Sequence, residues 1–178
     1  MVATQVLRRR AVVVAAVAAA ALLVGLALHG ERERSALGRF QVSGLMAHIA
    51  PAEIADVEIE SRGLRWRFVR DGAGWRALEA ARPPRADAAT RIEAGLRLLH
   101  VSAPERFLAG DELGARTSFG LEPPALRVLA RSARPFAVAF GTTNPIGLAR
   151  YAQVQGDARV ALVPEYVAKA WEAVIESP

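Results

Sequence analysis

Three histidines, His29, His48 and His100, and one adjacent acidic pair, Asp111 and Glu112, are the residues whose types could do chemistry. A catalytic zinc site needs three protein ligands brought together, often through a His-Glu-x-x-His helix, but these histidines are dispersed and that spacing does not occur. His29 follows an apolar run, where an imidazole suits a membrane–water boundary. His100 follows the Leu98-Leu99 pair near an expected helix C-terminus, where positive charge is favoured. Asp111 and Glu112 fit solvated loop carboxylates, with a weak cation site as the alternative. The chain has no cysteine, which excludes thiol nucleophiles, thiolate metal sites and a disulfide framework. Residues 141–147, Gly-Thr-Thr-Asn-Pro-Ile-Gly, resemble a phosphate cradle in their glycines and hydroxyls, yet lack the Gly-Lys-Ser/Thr ending that reaches the phosphates. There is also no Gly-x-Ser-x-Gly elbow. The expectation is a protein that is not an enzyme and has no cofactor, metal or catalytic residues.

The elements that would position any site begin with a stretch that fixes the address of the chain. Arg8, Arg9 and Arg10 precede eighteen residues, Ala11 to Leu28, without a charge or a side-chain hydrogen-bonding group. As a helix this run would span about 27 Å, close to the hydrocarbon thickness of a bilayer. It is longer than a signal-peptide apolar region and no Ala-x-Ala site follows, so a retained anchor is expected. The arginines before it place the N-terminus in the cytoplasm and the remainder outside, in the periplasm of a cell with two membranes. Ala16 and Ala20, with Ala21 and Gly25, have the small-xxx-small spacing that lets another membrane helix approach closely. The expected partners are the lipid bilayer and an integral membrane protein. Beyond Arg8 to Arg10 there remain 20 basic and 18 acidic residues, too even a balance for a nucleic-acid footprint.

The expected organisation is a basic N-terminus at 1–10, a transmembrane helix at 11–28, a stalk or short helix at 29–51 and an extracytoplasmic domain at 52–178. Within that domain, Val57 and Ile59 alternate with Asp56, Glu58 and Glu60, while Trp66 and Phe68 alternate with Arg65 and Arg67. A turn at Arg62-Gly63 sets Ile59 against Trp66 and Glu58 against Arg67, so every pair matches in character. A third strand at Trp75 to Glu79 follows, then a helix started by Asp87 with Ile92, Leu96 and Leu99 on one face. Residues 102–124 show no periodicity. Four more strands are expected at 125–131, 136–141, 150–154 and 159–163, then a helix after Pro164 carrying Val167, Ala170, Trp171 and Val174. The fold class expected is therefore α+β: a transmembrane helix, then antiparallel meanders each covered by a helix, in the order ββ-β-α then ββββ-α.

Trp75 after a Gly-rich turn, Pro84-Arg85-Ala86-Asp87, Phe119-Gly120-Leu121-Glu122-Pro123, and Gly141 leading through Gly147 to Tyr151 resemble an uncharacterised membrane-anchored family, domain of unknown function 4340. Some of its members lie beside, or are fused to, auxiliary proteins of gliding-motility-type ABC transporters. The resemblance, over roughly residues 50–165, implies an accessory role at a membrane complex and supplies no catalytic residues. Partner contact is expected from the irregular stretch and the 141–147 loop, with Phe119, Leu121, Thr142, Thr143 and Asn144 as candidates. The function expected is that of an accessory or structural subunit of an inner-membrane complex. The alternative is an extracytoplasmic module binding a small molecule, sugar or cell-wall polymer, with Trp66, Trp75, Tyr151 or Tyr166 as stacking platforms.

Overall fold

The computed structural model describes residues 43–113 and 116–176. Strands β1 (Asp56–Ser61) and β2 (Leu64–Asp71) form the expected hairpin, with Ile59 opposite Trp66, Glu58 opposite Arg67 and Val57 opposite Phe68. Its two-residue turn places Arg62 at φ 51° and Gly63 at φ 75°, the left-handed pair that matches the twist of a tight hairpin. β3 (Gly74–Ala80) joins β2 through a register shift at Arg67/Phe68. Helix α1 (Ala88–Val101) follows, then β4 (Arg106–Leu108), β5 (Leu126–Arg131), β6 (Phe136–Thr143), β7 (Ala149–Val154), β8 (Val160–Pro164) and helix α2 (Glu165–Ile175).

The strands do not form two meanders, each under its own helix. β1 pairs along its second edge with β5, so the sheet is a single antiparallel one in the order β3-β2-β1-β5-β6-β7-β8-β4. An isolated first meander would leave one edge of β1 unpaired. The alternation of acid and aliphatic residues on β1 suits β5 as well as β2, setting Arg131 opposite Asp56, Val128 opposite Ile59 and Arg127 opposite Glu60. β4 lies in the stretch expected to be irregular and pairs with β8, Phe107 opposite Ala161. No described helix is long and apolar enough to cross a membrane. Residues 11–28, with Ala16, Ala20, Ala21 and Gly25, lie outside the described residues.

Both helices occupy one face of the sheet and pack on each other. Ile92, Leu96 and Leu99 of α1 and Val167, Trp171 and Val174 of α2 bury against Ile59, Trp66, Phe68, Val128, Val138 and Phe140. Gly95 permits this packing, since a Cβ there would lie 2.7 Å from Cε2 of the Trp171 indole. Met46 and Ile49 are fully buried in the same core and Leu45 packs against it, so the segment expected to be a stalk contributes to it from residue 45 onward. Asp87 does precede α1, but its carboxylate makes no cap to the helix amides. It accepts instead from Arg85 at 3.0 Å and Arg91 at 2.8 Å.

That pairing sets a pH prediction. Hydrogen bonds from Arg91, then Arg85, lower the Asp87 carboxyl from 3.8 to about 2. A depressed folded pKa adds stability above the unfolded value of about 3.9 that is lost as pH falls through about 2. The Asp87 carboxyl carbon signal should therefore titrate near pH 2 in the folded protein, and Arg91→Gln should move its midpoint upward.

Candidate functional site

The side of the sheet away from the helices is divided into three zones. At the β8 and β4 end, the segment following β4 lies across the strands as a strap, and Leu121 buries with Leu108 and Val160 while Leu113, Phe119, Tyr151 and Leu162 pack around them. The Phe119 ring tilts onto Tyr151 with centroids 4.7 Å apart. Glycine makes this contact possible on both surfaces. A Cβ at Gly141 would stand 2.0 Å from the Phe119 carbonyl oxygen, and Gly120, at φ 66°, would carry one 2.6 Å from Cγ2 of Thr142. Gly141→Ala is accordingly expected to lift the strap at a cost of about 1–3 kcal/mol. Faster limited proteolysis between residues 109 and 124, with the two helices still protected, would check it.

The strap places the candidate contact residues plainly. Leu121 is buried, Phe119 is half-buried against Tyr151, and the Thr142 hydroxyl donates to the Phe119 carbonyl at 3.1 Å. Thr143 donates to Glu165 at 3.2 Å, while Asn144 accepts from the amides of Leu148 and Ala149 at 3.0 and 3.1 Å. All five hold the strap or brace the loop. Of the candidate stacking platforms, Trp66 is buried and Trp75 donates to Glu93 at 2.8 Å beneath the Arg70 guanidinium. Tyr151 lies under the strap, and Tyr166 stands exposed at the start of α2. His48 meets the edge of Phe136, and His100 Nδ1 lies 3.2 Å from the Met46 carbonyl oxygen. Glu112 pairs with Arg106, and no group of three His, Asp or Glu among the described residues is placed to hold a metal. His29 lies outside them.

At the other end the same face carries an ionic ladder. Asp56, Glu58 and Glu60 of β1 are flanked by Arg65 and Arg67 of β2 and by Arg127 and Arg131 of β5. Arg67 reaches Asp56 at 2.6 Å, and Arg131 spans Asp56 at 2.8 Å and Glu58 at 2.7 Å. Arg65 contacts Glu58 at 3.2 Å and Glu60 at 2.9 Å. The hydrogen bond to Asp56 holds the Arg67 guanidinium above its ordinary value, as the bond to Glu58 does for Arg131. Charges paired in this way brace three strands and are poorly suited to moving protons.

Between strap and ladder the sheet carries small side chains and leaves a hollow. Here Ala137 and Ala139 of β6 make a floor, with Arg127 and Leu129 of β5 on one side and Gln153 and Gln155 on the other. Pro123 and Pro124 of the strap form one wall, the Gly156-Asp157-Ala158 turn another, and the hollow measures about 660 Å³. It continues toward Pro135 and His48. Sequence reasoning overlooked this groove, although β6 carries its signal: Phe136, Val138 and Phe140 alternate with two alanines. Large side chains fill the helix-covered face, and methyl groups leave the other one hollow.

A further charged cluster lies under α2. Arg150 of β7 donates to Glu165 at 2.6 Å and to Glu172 at 2.5 Å, with only 11% of its side chain exposed. Burial lowers the Arg150 pKa, but its hydrogen bonds to the two carboxylates outweigh that and the guanidinium is held above its ordinary value. Compared with known proteins, the chain matches no family model, no curated protein and no solved structure.

Proposed function

We propose that the chain is a membrane-anchored accessory or structural subunit of an inner-membrane protein complex, acting by protein–protein contact through the groove of its sheet. The observation that carries this reading is the alanine floor of β6 between a proline-lined wall and a fixed ionic ladder. A shallow, pre-formed trough with polar edges suits a protein segment laid along it. Residues 11–28 supply the anchor, and the resemblance to a family some of whose members lie beside transporter auxiliary proteins suggests that the complex is a transporter. The small-molecule or sugar reading is less well supported. Its platforms Trp66, Trp75 and Tyr151 are spent in packing, and only Tyr166 is available for stacking.

Anchoring and orientation are tested together. The chain has no cysteine, so Ser118→Cys on the strap supplies a single thiol. It should react with a membrane-impermeant reagent in outer-permeabilised cells, and the protein should stay with membranes through an alkaline wash. Labelling only after inner-membrane rupture would reverse the orientation. Release by the wash would remove the anchor.

A further inference from the structure

Large apolar side chains that remain exposed on a folded domain are informative when they gather in one place. Six are exposed among the described residues, and four of them, Val101, Ile146, Leu148 and Tyr166, gather where α1 ends and α2 begins, with Phe107 farther along the adjoining edge strand. The parts of this corner are tied by direct contacts. The Tyr166 hydroxyl donates to the Ser102 hydroxyl at 3.3 Å, and the Glu165 amide donates to the Leu148 carbonyl at 2.9 Å. Phe107 lies opposite Ala161 on the edge strand that follows α1. Leu78, the sixth, is on β3 at the far edge of the sheet.

The described chain also enters the domain at this corner. The Gly44 amide donates to the His100 carbonyl at 3.1 Å, one residue before Val101. A Cβ on Gly44 would lie 2.2 Å from the Leu99 carbonyl oxygen, so the entry point is seated against the end of α1. Only fourteen residues, 29–42, separate Ser43 from the apolar run. Even fully extended they reach about 50 Å.

Charge and stiffness favour lipid over a protein partner. Lys169, the only lysine in the chain, is exposed about one helical turn from Tyr166, and the Arg159 guanidinium covers the Phe107 ring at 4.2 Å. Cations beside aromatic rings are the pattern of a surface meeting headgroups. The nearby carboxylates of Glu165 and Asp157 are held by Arg150 and Arg159 at 2.6 and 2.8 Å. Exposed Glu105, between Val101 and Phe107, limits the contact to headgroup depth. Ile146 and Leu148, 72% and 66% exposed, stand on a loop whose Asn144 side chain accepts two amides. This is a stiff projection, shaped to press into a soft surface.

We propose that this corner is a lipid-contacting foot, which rests at the bilayer interface and orients the domain so that the groove faces sideways along the membrane. The inference rests on the anchor proposed above. To test it, the full chain carrying Ile146→Cys, or Leu78→Cys as control, is labelled with an environment-sensitive fluorophore and reconstituted in phosphatidylethanolamine–phosphatidylglycerol nanodiscs, with and without headgroup-proximal spin-labelled lipid. The expected result is blue-shifted emission and strong lipid quenching at position 146, with neither at position 78. Equal quenching at both positions, or none at 146, overturns the foot while the anchor stands, provided the protein survives an alkaline wash. A blue shift at 146 without lipid quenching also overturns it, because the loop is then covered by protein. Loss of the protein in the wash removes the anchor and the foot together. Unchanged unfolding midpoints of both labelled variants guard against a folding defect.

Discussion

Trp171→Ala should destabilise the domain by about 3–5 kcal/mol, read as a lowered midpoint in chemical denaturation with the slope preserved. The indole is fully buried where the two helices meet the sheet, and α1 is notched at Gly95 to receive it. Truncation removes the transfer free energy of a large side chain and leaves a cavity that two helices and a sheet cannot collapse into. Trp171→Phe should cost clearly less, for two reasons. It retains most of the volume, and it removes an indole N–H that has no hydrogen-bond partner in the structure. If Trp171→Ala proved nearly neutral, the helix pair would not be seated on the sheet as described.

Arg150→Met is expected to cost about 3 kcal/mol, because it strands Glu165 and Glu172 beneath α2 without their shared cation. The loss should be partly reversed in the triple variant with Glu165→Gln and Glu172→Gln, which removes the uncompensated charge. A double-mutant cycle between Arg150 and Glu165 would measure their coupling. Additive effects at the two positions would show that the close contact contributes little.

The hairpin could be read from the sequence because its information is local. Four pairs, from Val57–Phe68 to Glu60–Arg65, match in character across Arg62-Gly63, and a slip by one would bury arginine. The β1–β5 junction was harder to see, since it joins residues about seventy positions apart and distant pairing leaves no periodic trace. Its clue was the spacing of Arg127 and Arg131, which complements the acids of β1. β4 is three residues long, too short for a period to appear. The strap was opaque for a related reason: Leu113, Phe119 and Leu121 pack down from segments without a long period, with Gly120 and Gly141 allowing the close approach. Phe119-Gly120-Leu121 and the 141–147 loop stood out in the sequence as candidates for contact. In the structure, Phe119, Leu121, Thr142, Thr143 and Asn144 fasten one part of the domain to another. The groove was missed because two alanines in a strand are inconspicuous until their neighbours are known.

The central claim is that the domain works by docking a protein along this groove. Its most direct test is to fill the trough with Ala137→Trp, using Leu78→Arg on β3 as a surface control, in the full chain purified with its complex in mild detergent. Ala137 faces away from the helices and is 7% exposed, so the unfolding midpoint of the variant is measured beside that of the control to show that the domain is intact. The account predicts that a membrane protein recovered stoichiometrically with the wild-type chain and with the Leu78→Arg control is lost with Ala137→Trp. Undiminished recovery of that partner with the groove filled would contradict it.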